Sequence, residues 1–157
     1  QKVQMIFATH SEYVLKEALN HKDDVLILAL KDDNGTITAS PMRLPLALPT
    51  ITSAEINYRI FDIISTDYHI QLYGYLQTKE SKGSISGCDD FIETTQEYKN
   101  NMPKYSVAVL GLTVPQGYHD KTLPTYIRNA IDHPDAGRVY SEEQFRDSIE
   151  LLIQLCK

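Results

Sequence analysis

The chain has 157 residues, 42% hydrophobic and 23% charged, the balance of a folded protein rather than a disordered one. Its formal net charge of −6, from 15 Lys and Arg against 21 Asp and Glu, argues against a generic nucleic-acid binder, because such affinity comes from neutralising phosphates with cations. No apolar run approaches the roughly 20 residues of a bilayer crossing, and no signal pattern opens the sequence, so a cytoplasmic protein without membrane contact is expected.

In chain order, "VQMIFA" (3–8) has strand character, and "EYVLKEAL" places Val14, Leu15, Ala18 and Leu19 at helical spacing behind a plausible N-cap, Ser11. "DVLILAL" reads as a buried strand, and Asn34-Gly35 between two β-prone runs signals a tight hairpin. The first 43 residues therefore read β-α-β-β, too little to close a sheet domain alone. Pro41, Pro45 and Pro49 mark a boundary, giving expected domains 1–43 and 44–157.

Beyond the boundary the pattern turns helical. "TSAE" (52–55) is a capping box opening a helix with Ile56, Ile60 and Ile63 on one face. A helix is expected from Asp67 to about Gln77 with Tyr68, Leu72, Tyr75 and Leu76 inward, then a loop over 79–87 and a shorter helix in "CDDFIETTQEYK". "YSVAVLGLTVPQGY" is either a buried strand or an irregular crossover. "TLPTYIRNAIDHP" reads as a helix entered near Thr122 to Pro124 and ended before Pro134. "SEEQ" (141–144) caps a last helix with Phe145, Ile149, Leu152 and Cys156 on one side. The expected fold class is α/β + α: a small β-α-β-β piece followed by a mainly helical bundle. Cys88 and Cys156 lack both disulfide-framework and zinc spacing.

Two constellations carry chemistry. In "QMIFATHSEYVL" an apolar strand-like run ends in Thr-His-Ser, where a histidine can either cap the following helix or approach a phosphate. The segment resembles the switch-histidine region of ATP-binding-cassette-type ATPases of the RecF, SMC and overcoming-lysogenisation-defect kind, and "VLILALKDDNGTI" is similar to their closing hairpin. The resemblance covers roughly residues 1–43. It implies that His10 faces the γ-phosphate of ATP in an intact ATPase. None of the seven glycines belongs to a G-x-x-x-x-G-K-[ST] loop and no apolar strand ends in Asp-Glu, so ATP and magnesium would bind to the rest of that ATPase and not to this chain.

In "YIRNAIDHPD", Asn129 and His133 stand one helical turn apart, Arg128 faces Asp132, and Pro134 puts His133 at the helix end, where the dipole favours a cation. Arg128 and Asp132 could form a plain surface pair and His133 a C-cap. The segment also resembles the R-N-x-x-x-H signature of HEPN domains, four-helix bundles many of which are metal-independent ribonucleases. Residues 54–135 are similar to the tail of AAA-type ATPases of phage defence, although Asp132 stands where many relatives carry a second histidine. The resemblance implies a catalytic set of Arg128, Asn129 and His133: Arg128 would stabilise phosphorane charge, His133 would act as acid or base, and Asn129 would orient them. It further implies an RNA substrate, a homodimer, no metal, and either the remaining ATPase domain or a separate nuclease as partner.

The alternatives are a non-catalytic docking or dimerisation module relaying ATP state to another nuclease, or part of a RecF-like DNA-repair ATPase. Among lesser candidates, Glu55 reads as a capping residue, His69 as a helix-surface histidine near the groove, and Tyr118, Tyr126 and Tyr140 as residues bracketing the site. His21 and His119 lie in polar loops and carry no argument.

Overall fold

The computed structural model describes residues 3–21, 23–42, 46–108 and 120–157. The described residues are mostly helical with one two-stranded antiparallel sheet, a mixed α/β chain. They form two compact units, Gln1–Ile63 and Ile64–Lys157.

In the first unit, helix α1 (Glu12–Asn20) buries Leu15 and Leu19, while Val14 stays half exposed. Ser11 occupies the N-cap position but its side chain makes no capping bond. The hairpin forms as its turn demands: β1 (Leu28–Asp33) pairs with β2 (Thr36–Pro41), and Asn34 and Gly35 take φ of 53° and 88°, the left-handed pair of a type I′ turn. Helix α2 (Ser53–Phe61) closes the unit, its Ile56 and Ile60 packing with Leu15, Leu19 and Ala29.

Four expectations change here. Residues 3–8 form no strand, and Val3, Met5, Ile6 and Phe7 are 72–89% exposed, because among the described residues β1 and β2 pair only with each other. β1 is not buried on both faces either: Ala29 faces the core and Leu28 and Leu30 face outward. Helix α2 was assigned to the second domain by the change of period at the prolines, yet its isoleucines complete the core of the first unit. Ile63 lies past the helix end and is 51% exposed.

Glu55 also departs from the capping-box reading. Thr52 Oγ1 accepts the Glu55 N–H at 3.2 Å, but the Glu55 carboxylate turns the other way, taking the N–H groups of Ala47 (2.7 Å) and Leu48 (3.3 Å) beside Arg59 (3.5 Å). Fully buried, it ties the 46–48 segment onto the helix.

The second unit is a helical bundle. Helix α3 (Thr66–Lys79) is capped by Ser65 and buries Tyr68, His69, Leu72, Tyr73 and Leu76, so the inward tyrosine is Tyr73 rather than Tyr75. Helix α4 (Ile85–Thr94) starts inside the expected loop because the Ser84 side chain accepts the Gly87 N–H at 3.0 Å. Two short helices follow, α5 (Gln96–Asn100) and α6 (Met102–Tyr105). The ambiguous run 105–118 lies mostly outside the described residues; its start bridges Ser106 to Thr122. Helix α7 (Leu123–Asp132) and helix α8 (Glu142–Cys156) pack against α3. The α8 capping box forms in full, with Gln144 N to Ser141 Oγ at 3.1 Å and Ser141 N to Gln144 Oε1 at 2.8 Å. All four predicted inward residues of α8 are buried.

Asp89, on α4, anchors the start of α7. Its carboxylate accepts the N–H groups of Lys121 (2.9 Å) and Thr122 (3.1 Å) and the Thr122 hydroxyl (2.7 Å). The Thr122 side chain makes no capping bond to its own helix, and Asp89, 33 residues away, holds instead the two backbone N–H groups that lead into it. Thr122 Oγ1 also reaches Thr125 Oγ1 (3.1 Å), which bonds Tyr73 Oη (2.9 Å). Burial pushes the Asp89 carboxyl above its ordinary range, against the pull of these bonds. Asp89→Ala is expected to cost about 3 kcal/mol in urea denaturation, the scale of losing several hydrogen bonds to a buried charge, and to speed amide exchange at Lys121 and Thr122. Unchanged exchange there would show that the carboxylate does not hold the helix start.

His69 is buried in the bundle, not on its surface. Its Nε2 lies 2.8 Å from Ser148 Oγ, its ring packs on Phe145 at 5.7 Å, and desolvation lowers its pKa from 6.5 to about 3. The unfolded chain binds this proton below pH 6.5 whereas the folded one resists it down to about 3, so stability rises with pH across that window and levels off above it. His69→Gln, which can keep the Ser148 bond, is expected to flatten the acid limb by up to about 1.4 kcal/mol per pH unit. Asp89, shifted the other way, contributes an opposite slope common to both proteins. Parallel curves of urea midpoint against pH for wild type and variant would rule this out.

Candidate functional site

Helix α7 begins at a proline-containing first turn and stops where Pro134 forbids another helical residue, with His133 as its C-cap. A single 3₁₀ turn, Pro134–Ala136, follows, and Gly137 takes φ 68° to redirect the chain. That turn delivers Arg138 and Val139 back to the side of α7. There Tyr126 Oη donates to Val139 O (3.2 Å) and accepts Val139 N–H (3.1 Å), and the Arg138 guanidinium lies 5.8 Å from the Tyr126 ring. Tyr126 is fully buried and is a structural clamp, not a base-stacking surface. Tyr140 packs on Phe145 at 5.4 Å, and Tyr118 lies outside the described residues.

Arg128 and Asn129 are brought together. Arg128 Nη1 donates to Asn129 Oδ1 at 2.8 Å, and Arg128 Nη2 pairs with Asp132 at 2.6 Å, the i,i+4 pairing that the sequence allowed. Asn129, only 7% exposed, points inward and donates to Asp120 Oδ1 at 2.8 Å. Asp120 in turn pairs through Oδ2 with Arg138 at 3.1 Å, both side chains almost wholly buried. Donors and acceptors thus alternate along Arg138, Asp120, Asn129, Arg128 and Asp132.

His133 is linked to Asn129 through the backbone, its N–H donating to Asn129 O at 3.0 Å, and its side chain is exposed. Helical spacing therefore puts Asn129 and His133 near each other in chain terms but sends one side chain inward and the other outward. His10 is exposed, with its ring 6.2 Å from Phe61.

The cations around α7 all have acidic company: Arg128 with Asp132, Arg138 with Asp120, Lys121 with Asp90 (2.6 Å) and Glu93 (3.2 Å), and Arg146 with Glu142 (3.9 Å). The arrangement can present one guanidinium, on Arg128, and one imidazole, on His133, at the C-terminal end of a buried helix. Asp120 and Arg138 are the residues that sequence reasoning missed: in the sequence they look like ordinary alternating charges, and only the fold shows that both are buried. No family model matches the chain, and no match was found among curated proteins or solved structures.

Proposed function

We propose that this chain is the C-terminal region of a defence or toxin ATPase and that α7 carries a HEPN-like, metal-independent endoribonuclease site. The observation that carries the reading is the hydrogen-bonded Arg128–Asn129 pair on a helix whose C-cap, His133, is exposed to solvent. In this mechanism the ribose 2′-oxygen attacks phosphorus as its proton passes to an imidazole, the 5′-oxygen leaves with a proton from an acid, and a 2′,3′-cyclic phosphate results. Arg128 stabilises the charge that develops on the phosphoryl oxygens. One His133 cannot be both base and acid in a single turnover, and one guanidinium shared with Asp132 is a weak phosphate anchor. Two copies of α7 meeting across a homodimer supply both needs.

ATP and magnesium belong to the remainder of the ATPase. His10 is the residue of this chain directed at nucleotide, and the sequence adds no phosphate loop to it. The second reading, a docking or dimerisation module that relays ATP state to a separate nuclease, draws on the exposed apolar side chains of Val3, Met5, Ile6 and Phe7, which suit burial against another protein surface.

The intact protein is expected to cleave RNA in EDTA, to leave 2′,3′-cyclic phosphate ends and to spare DNA. Activity should fall by about 10²- to 10⁴-fold in His133→Ala and comparably in Arg128→Ala, with partial activity left in Asn129→Ala. Undiminished cleavage by folded His133→Ala, or loss of cleavage with chelator, would transfer the assignment to the docking module.

A further inference from the structure

Arg138 and Asp120 have an unusual setting for two charged residues in a net-acidic chain: their side chains are 0% and 7% exposed and paired at 3.1 Å. A buried pair of this kind is weak evidence of stabilisation, because desolvating both ions offsets most of their attraction. It does impose direction. A carboxylate only accepts, so the Asn129 group that meets Asp120 must be its NH₂, as found at 2.8 Å. The Asn129 oxygen is thereby turned outward, where it accepts from Arg128 Nη1 at 2.8 Å. The Tyr126 clamp on Val139 holds Arg138 in register with this chain.

We propose that Asp120 and Arg138 are positioning residues for Arg128: their buried ion pair sets the donor–acceptor polarity of the Asn129 amide, and that polarity aims the guanidinium used on phosphate. The assignment of a catalytic purpose rests on the ribonuclease reading of α7; the polarity itself does not.

Exchanging amide and carboxylate tests it. In Asp120→Asn, the new amide must offer its oxygen to Arg138 and its NH₂ to Asn129, which forces the Asn129 NH₂ against the Arg128 donors. In Asn129→Asp, two carboxylates face each other. In the double variant Asp120→Asn/Asn129→Asp every donor again meets an acceptor: Arg138 to the residue-120 oxygen, the residue-120 NH₂ to the residue-129 carboxylate, and Arg128 to that carboxylate.

The experiment uses the intact protein and measures RNA cleavage, urea stability and the NMR signals of the Arg128 guanidinium. Each single variant is expected to lower kcat by about 10- to 100-fold, the scale of a misplaced catalytic group, with KM within a few-fold of wild type and the hindered guanidinium signals lost. The double variant should recover most of kcat and the signals. Folded single variants that cleave like wild type, or a folded double variant that restores neither signal nor kcat, overturn the proposal. If wild type cleaves no RNA, the nuclease reading falls by itself, and loss and recovery of the guanidinium signals still decide the positioning role. If the single variants do not fold, the double variant carries the same decision.

Discussion

A helix of ten residues entered at Leu123-Pro124 has an unsatisfied first turn, and the Thr122 hydroxyl that would ordinarily satisfy it is engaged elsewhere. Asp89, on α4, instead fixes the residues that lead into the helix: the Lys121 and Thr122 amides, the Thr122 and Thr125 hydroxyls and Tyr73 are all linked, directly or in sequence, to one buried carboxylate. Moving α7 along its axis would break several of these bonds at once. The far end of the helix has its own restraints, through Asn129 to Asp120 and through Tyr126 to Val139. Because α7 is held at both ends, the positions of Arg128 and His133 are set by the bundle as a whole.

The two ion pairs along this helix differ in kind. Arg138 and Asp120 are withdrawn from water and cannot be exchanged for a ligand without exposing the core. Arg128 and Asp132 are 23% and 35% exposed, and a pair at that depth contributes at most about 1 kcal/mol. The Arg128–Asp132 pair is therefore the one that opens at small cost, while the buried pair stays in place.

Local chemistry was legible in the sequence where its partners were local. Ser141 and Gln144 form their box, Asn34-Gly35 makes its turn, and Pro124 and Pro134 bound α7 as expected. Long-range partners were not. His69 looked like a surface residue because Ser148, 79 positions away, gives no local sign of meeting it. Asp89 and Asp120 carry no local sign of their tasks, since an acceptor for a distant N–H looks like any acidic residue. The 3–8 run failed as a strand for a related reason: β propensity describes a pleated, half-buried surface, and a strand also requires a neighbour to hydrogen-bond with. Of the candidate set, helical spacing made the Arg128–Asp132 pair legible, whereas the Arg128–Asn129 bond, the inward turn of Asn129 and the outward turn of His133 required the packed bundle to show them.

The β1–β2 hairpin leaves Leu28, Leu30 and Ile37 facing outward. Open edges with apolar side chains are templates for intermolecular strand pairing, and hence for aggregation. The hairpin is defended unevenly. Lys31, Asp32 and Asp33 gather charge at the turn end, where a second copy would be repelled, and Pro41 at the open end offers no N–H to an incoming strand. That proline lies on β2, so the outer edge of β1, with Leu28 and Leu30, is the less guarded of the two.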